Sequence, residues 1–152
     1  MGVNRFEDLR VWQAAREQSN RVGELLKRPA FRNDRELSNQ MNAASLSVMF
    51  NLSEGFLRRR DRETLQLLRY AFASNGELKS GYYAAEGRSY TTGTETAELI
   101  TLNEGIARML RRWESTLDLG ARTKDQGRTK DQGRTRDQGR TKNQVPRTKD
   151  QQ

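Results

Sequence analysis

The most regular part of the chain is LITLNEGIARMLRRWESTL at residues 99–117. Its large apolar residues follow one another at steps of three or four positions, which places side chains on one face of an α-helix. These residues are Leu99, Leu102, Ile106, Met109, Trp113 and Leu117. No segment of the sequence alternates apolar and polar residues for long, as a strand would. The stretch therefore predicts an amphipathic helix that packs against other helices.

Two capping boxes and a proline delimit the first two of three preceding helices. Asn4 lies three positions before Glu7, the spacing at which each side chain bonds the other's backbone N–H group at a helix start. Asn33 and Glu36 repeat this spacing and predict the start of the second helix. Pro29 ends the first helix because it lacks an N–H group. Apolar residues recur at helical intervals behind both starts, at Leu9, Trp12, Ala15, Val22 and Leu26, and at Leu37, Met41, Ala44, Val48 and Leu52.

Glycines and small polar residues delimit the last two helices. Gly55 is expected to break or kink the second helix, and Asp61 to cap the third. Gly76 and Gly81 each cost about 1 kcal/mol inside a helix, which favours a close helix contact at both positions. The sequence TTGT at residues 91–94 is typical of a turn followed by a cap. Residues 1–120 thus predict an all-α protein, an up-down-up-down antiparallel four-helix bundle.

The composition changes near residue 120. Residues 121–152 repeat a six-residue unit such as GRTKDQ in about five near-copies, with Val145 as the only larger apolar residue. Ordering a residue costs about 1–2 kcal/mol, and nothing here offsets that cost, so we expect a disordered tail. The tail has a net charge of +6, which leaves +2 of the total +8 for residues 1–120. It either has no specific function or adds weak attraction to nucleic acid.

The residue inventory excludes several chemistries. The chain has no cysteine and no histidine, which removes thiol redox, disulfides, zinc fingers and His-dependent nucleophiles. A carboxylate-only metal site remains conceivable at Glu54, Glu77, Glu86 or Glu98, although such carboxylates on helix surfaces are usually solvated. No phosphate-binding glycine motif occurs, and no apolar run reaches the roughly 20 residues of a membrane span. We therefore expect a cytoplasmic non-enzyme without cofactor, metal, small-molecule substrate or membrane partner.

An arginine cluster is the strongest electrostatic feature of residues 1–120. Three consecutive arginines near a helix start oppose the macrodipole, which favours anions there. Guanidinium groups bind phosphate with two parallel hydrogen bonds, so the cluster favours a polyanionic partner. The alternative is a solvated turn whose arginines pair with Asp61 and Glu63. The candidate nucleic-acid-binding residues are Arg58, Arg59, Arg60, Arg62 and Arg69.

A second, weaker basic patch lies on the last helix, at Arg108, Arg111 and Arg112. Glu104 and Glu114 have helix-pair spacing to these arginines and are expected to absorb part of the charge.

The aromatic residues permit two interpretations, base-stacking platforms or core. Helical phasing favours core for Trp12, Phe72, Tyr82 and Trp113. Phe50, Phe56 and Leu57 do not fit the same faces. We expect these three to form an exposed patch that contacts another subunit.

Three segments carry a family resemblance: FEDLRVWQAA at 6–15, NLSEGFLRRR at 51–60 and ETLQLLRYAFASNGEL at 63–78. They resemble the four-helix-bundle family first noted in intervening sequences of bacterial large-subunit rRNA genes, which includes the accessory variability protein of diversity-generating retroelements. The matching positions are Phe6, Asp8, Leu9, Trp12 and Gln13 in the first helix and Asn51, Glu54 and Gly55 at the end of the second. The similarity covers roughly residues 5–118, outside the tail.

The resemblance implies a non-catalytic bundle that assembles into a ring-like homopentamer. In the retroelement members it implies a platform for a reverse transcriptase and its template RNA. We therefore expect a homo-oligomeric scaffold or adaptor whose partners are further copies of the chain and RNA, a reverse transcriptase or another ribonucleoprotein. The alternative is a protein–protein interaction module with no nucleic-acid role, which the modest charge of residues 1–120 also allows.

Overall fold

The structure, a computed structural model, describes residues 2–58 and 60–136, with side chains described as far as residue 119. Every regular element in these residues is a helix: a 3-10 helix at Phe6–Asp8, α1 at Arg10–Leu26, α2 at Pro29–Asn33, α3 at Arg35–Arg58, α4 at Asp61–Gly87 and α5 at Gly93–Arg136. The predicted all-α class with four long helices is confirmed, and α2 is an additional short helix. None of the described helices combines the length and apolar character needed to cross a membrane.

The chain reaches α1 through the 3-10 helix and not through a capping box. Leu9 occupies the N-cap position of α1 and makes no side-chain cap hydrogen bond. The predicted box of Asn4 and Glu7 is wrong, because the N-cap residue of the 3-10 helix is Arg5 and that of α1 is Leu9, neither with a side-chain cap hydrogen bond. Pro29 follows the end of α1 as predicted, and it begins α2, where its missing N–H group leaves no helix bond unmade.

The starts of α3 and α4 are each displaced by one residue from the predicted caps. Asp34, and not Asn33, caps α3, since its Oδ1 accepts a hydrogen bond from the backbone N–H group of Leu37 at 3.1 Å. Asp61 is the first residue of α4, and the N-cap residue Arg60 makes no side-chain cap hydrogen bond. Asp61 still stabilises the helix start as an acidic residue in its first turn.

A complete capping box opens α5, as TTGT predicts. The Thr92 hydroxyl accepts a hydrogen bond from the N–H group of Glu95 at 3.2 Å, and the Glu95 carboxylate accepts one from the N–H group of Thr92 at 2.9 Å. Arg28, which follows α1, donates to the same carboxylate at 2.7 Å. This hydrogen bond from Arg28 and the one from Thr92 lower the pKa of Glu95 to about 2.

The glycines of α3 and α4 differ in their surroundings. Gly55 is buried and α3 continues through it, so the predicted break is wrong. The predicted close contact at Gly81 is confirmed, because a Cβ there would lie 2.7 Å from Cγ of Met41. The same prediction for Gly76 is wrong, since no atom lies within 4 Å of where its Cβ would be.

Two apolar clusters form the core of residues 1–117. The Phe31 cluster comprises Val22, Leu25, Phe31, Leu37, Met41, Ala44, Leu78, Tyr82, Ala85 and Leu99. The Ile106 cluster comprises Val11, Ala15, Val48, Leu52, Leu68, Ala71, Ile106 and Leu110. Of the predicted α5 face, Leu99 and Ile106 are buried, whereas Leu102, Met109, Trp113 and Leu117 are half-buried and pack against the Ile106 cluster.

A polar layer separates the two clusters along every long helix. It consists of one buried residue from each: Gln18, Ser45, Asn75 and Asn103. The Gln18 amide donates to Oδ1 of Asn75 at 3.0 Å. Asn75 in turn donates to the backbone oxygen of Asn103 at 2.9 Å, and the Asn103 amide donates to the backbone oxygen of Asn75 at 2.8 Å. These hydrogen bonds satisfy the amide groups of the layer, except Oε1 of Gln18, which has no partner among the described residues.

The chain divides into a first unit of residues 1–117 and a second of residues 118–152. In the second unit, helix α5 continues through residue 136. This differs from the expectation of a disordered tail from residue 121, because extending an existing helix avoids the cost of nucleating a new one. The remainder of the tail lies outside the described residues.

Candidate functional site

The predicted arginine cluster lies at the turn between α3 and α4, where its charges are largely paired. Arg58 forms an ion pair with Glu54, one helical turn before it, and a longer one of 3.8 Å with Glu63. Arg60 pairs with Glu63 at 3.1 Å. The hydrogen bond to Glu54 raises the pKa of the Arg58 guanidinium. Arg59 lies outside the described residues. These are exposed pairs of about 0–1 kcal/mol, so they reduce the local positive charge more than they stabilise the fold.

The other two predicted arginines lie along α4. Arg62 is exposed in the first turn of α4. Arg69 donates to Glu114 of α5 at 3.2 Å, so it joins two helices. Arg62 therefore adds its charge directly to the α3–α4 turn, whereas Arg69 lies about two helical turns further along α4. The predicted pairing of Glu114 with the arginines of α5 is wrong, because Glu114 faces Arg69.

The predicted apolar patch divides between two faces of α3. Phe50 and Leu57 are 61% and 63% exposed and lie two helical turns apart, which places them on one face. Leu46, one turn before Phe50, is half-buried on the same face. Phe56 is half-buried and points about 100° away from Leu57, because successive helical residues are rotated by that angle. We call Leu46, Phe50 and Leu57 the α3 apolar face.

A groove between α4 and α5 was not predicted. Its volume is about 340 Å³, and it is lined by Phe72, Asn75, Gly76, Lys79, Asn103, Glu104, Ala107, Arg108 and Arg111. Phe72, which helical phasing placed in the core, is 37% exposed at this groove, and that prediction is wrong. The guanidinium carbon of Arg111 lies 5.0 Å from the centre of its ring, within range of a cation–π contact. We call this region the α4–α5 groove.

The charges of the α4–α5 groove are arranged around one carboxylate. Glu104 accepts a hydrogen bond from Lys79 at 2.7 Å, across the two helices. That bond lowers the pKa of Glu104, and the nearby Arg108 lowers it further. Lys79, Arg108 and Arg111 therefore face a single acidic lining residue. Two sequence features mark the groove: the basic patch of α5, which supplies Arg108 and Arg111, and Gly76, which lacks the side chain that would fill the space one helical turn after Phe72.

The first group of family-motif residues holds the chain's beginning to α1. The rings of Phe6 and Trp12 meet edge to face with centroids 5.1 Å apart. The Gln13 amide donates to the backbone oxygen of Glu7 at 2.9 Å. Leu9 packs against the Ile106 cluster, and Asp8 is exposed. Their contacts are structural.

The second group of motif residues organises the crossing of α3 and α4. Asn51 donates to the backbone oxygen of Ser47 at 2.8 Å, and Glu54 holds Arg58 as described above. The carbonyl of the buried Gly55 accepts a hydrogen bond from the Thr64 hydroxyl at 2.8 Å. A β-carbon at this glycine would meet Leu67 and Thr64 at ordinary contact distance. These residues shape the turn and leave its outer surface to the arginines.

The described side chains offer no cluster of three or more metal-ligating acidic residues.

Comparison with known proteins adds one finding to this geometry. The family described as "23S rRNA-intervening sequence protein" matches the chain over residues 7–112. The match covers α1 to α4 and α5 as far as residue 112. It therefore includes the arginine turn, the α3 apolar face and the α4–α5 groove. No curated protein matches the chain.

Proposed function

Because the chain belongs to the 23S rRNA-intervening sequence protein family, we propose that it is a non-catalytic, cytoplasmic scaffold that associates with copies of itself and with RNA or a ribonucleoprotein. The observation that carries this proposal is the α3 apolar face. Its exposed side chains, Phe50 and Leu57, lie on one long helix and leave more than half of their surface open to solvent. A scaffold requires such surfaces and no reactive groups.

We further propose that the four long helices form an up-down-up-down antiparallel bundle. The order of the clusters supports this arrangement. Along α1 and α4 the Ile106 cluster precedes the polar layer, whereas along α3 and α5 the Phe31 cluster precedes it. The hydroxyl groups of Ser47 and Ser74, 2.8 Å apart, and the contact of Met41 with Gly81 also pair residues in opposite order along α3 and α4.

Self-association through the α3 apolar face has a clear energetic reason. Removing a large apolar side chain from water contributes about 1.5–3 kcal/mol when burial is complete. Two such side chains repeated at each contact of a closed ring can offset much of the entropy lost on association. Five copies is the number that the family resemblance implies.

The test is the mass of the full chain in solution by light scattering. The double substitution Phe50→Asp and Leu57→Asp places charges on the α3 apolar face and is expected to convert the oligomer to monomer. Tyr70→Asp is the matched control, since Tyr70 is a large exposed residue on α4. It should leave the mass unchanged. A wild-type monomer, or a double variant with unchanged mass and helicity, would contradict self-association through this face.

RNA association is the second part of the proposal, and a reverse transcriptase or another ribonucleoprotein is the kind of assembly that would supply the RNA. The alternative, a protein–protein module without nucleic acid, is favoured by the carboxylates that hold Arg58 and Arg60. The ratio of absorbance at 260 and 280 nm of the purified oligomer separates the two. Co-purifying nucleic acid that high salt removes supports RNA association, and a clean oligomer that also fails to bind added RNA supports the alternative.

A further inference from the structure

The α4–α5 groove combines an exposed ring, open backbone and cations with little carboxylate neutralisation. We propose that this groove, and not the arginine turn, binds single-stranded RNA. The inference rests on the RNA association proposed above and assigns it a location. Its residues are Phe72, Gly76 and Lys79 of α4 and Arg108 and Arg111 of α5.

The aromatic residues provide stacking surfaces along one face of α4. Phe72 and Tyr83 are 11 residues apart, close to three full turns, so both lie on the same face, about 16 Å apart along the helix. Tyr83 is exposed and lies one helical turn after Lys79. Bases stack on aromatic side chains whatever their identity, because every base has a π-face.

Gly76 leaves the space between the two rings open. No atom lies within 4 Å of the position that its Cβ would occupy, so the backbone of α4 is accessible there. A planar base or a ribose can therefore approach the helix more closely than any side chain would allow.

The cations of the groove are less neutralised than those of the turn. Arg58 and Arg60 each form an ion pair with a carboxylate. Arg108 and Arg111 form no such pair with any carboxylate of the described residues. The acidic residue of the groove, Glu104, forms its ion pair with Lys79. Arg111 instead covers one face of the Phe72 ring, and this pairing of guanidinium and ring allows a phosphate and a stacked base to bind side by side.

Stacking also selects the form of RNA. Bases inside a duplex are paired and stacked on one another, so aromatic side chains reach them only in single strands, loops and ends. A duplex would engage the arginines alone and lose the contribution of both rings. We therefore expect single-stranded RNA to bind more tightly than a duplex of the same length.

The experiment measures binding of a fluorescein-labelled 12-nucleotide single-stranded RNA to the full chain by anisotropy, over a series of salt concentrations. Phe72→Leu with Tyr83→Leu removes both stacking surfaces and is expected to weaken binding at least tenfold. Arg108→Gln with Arg111→Gln is expected to reduce the slope of log affinity against log salt by about 1.4, for two lost phosphate contacts on a single strand. Arg58→Gln with Arg62→Gln is the matched control and should change affinity less than twofold. The tail is present throughout, so its contribution cancels.

Phe72→Tyr separates stacking from folding, because it keeps a ring and is expected to keep wild-type affinity. If the turn variant loses binding while both groove variants retain it, the groove is the wrong site and RNA association stands. Equal affinity for a duplex of the same length also overturns the inference and leaves RNA association intact. A wild-type protein that binds neither RNA overturns the proposed RNA association itself.

Discussion

The polar layer allows a quantitative prediction of how much its hydrogen bonds contribute to the free energy of unfolding. Asn75→Leu removes the group that accepts from Gln18 and exchanges hydrogen bonds with Asn103. Both remaining amides are buried, at 0% and 2% exposure, so water cannot replace the lost partner. The Gln18 amide loses its acceptor, whereas the Asn103 amide keeps its hydrogen bond to the backbone oxygen of residue 75 and loses the donor to its Oδ1. An orphaned buried polar group costs about 1–3 kcal/mol, so we expect a loss of about 2–3 kcal/mol. This is a large part of the 5–15 kcal/mol that stabilises a typical domain.

The companion variant replaces the whole set, Gln18→Leu, Asn75→Leu and Asn103→Leu. It leaves no orphaned amide, so we expect its unfolding free energy to lie within about 1 kcal/mol of the wild type or above it. Urea unfolding followed by circular dichroism measures both, with the exposed Asn39→Leu as control, expected within about 0.5 kcal/mol. A loss below 1 kcal/mol for Asn75→Leu, or a triple variant as unstable as the single one, would show that orphaned amides do not set the stability of the polar layer.

Three further predictions concern single positions. Gly76→Ala should raise the unfolding free energy by about 1 kcal/mol, whereas Gly81→Ala, whose β-carbon would overlap Met41, should lower it by about 1–2 kcal/mol in the same urea assay. Tyr82→Phe should raise stability by about 1 kcal/mol, because the buried Tyr82 hydroxyl has no hydrogen-bond partner among the described residues; an equal gain from the same change at exposed Tyr70 would contradict this. Glu95, with a folded pKa of about 2 against an ordinary 4.5, stabilises the fold above pH 4.5 and ceases to as the pH falls towards 2. The melting temperature of Glu95→Gln should accordingly fall less than that of the wild type between pH 5 and pH 2, and parallel falls would contradict it.

The four long helices could be predicted from the sequence because apolar spacing is a property of each segment alone. The exact helix starts could not be predicted, because adjacent polar residues are equally suited to cap a helix. Asp34 caps α3, although the adjacent Asn33 is also a favourable capping residue. The polar layer was also missed. Asn103 lies on the helix face between Leu99 and Ile106, but Leu102 beside it fits an apolar pattern equally well.

The candidate site was predictable only where its contacts are local. The alternative of a turn paired with Asp61 and Glu63 follows from local spacing, and the pair of Arg60 with Glu63, three positions apart, has that spacing. The pairing of Arg69 with Glu114 joins residues 45 positions apart and depends on how α4 and α5 pack. Phe72 was assigned to the core because α4 carries apolar residues on several faces, so periodicity alone does not identify the buried one.

Sedimentation velocity of the wild-type chain with the labelled 12-nucleotide RNA measures self-association and RNA binding in one particle. We predict a single boundary that carries the fluorescein signal and whose mass equals two or more copies of the 17.5 kDa chain plus the bound RNA. A protein boundary at the mass of one chain, with the labelled RNA sedimenting freely, would contradict the account.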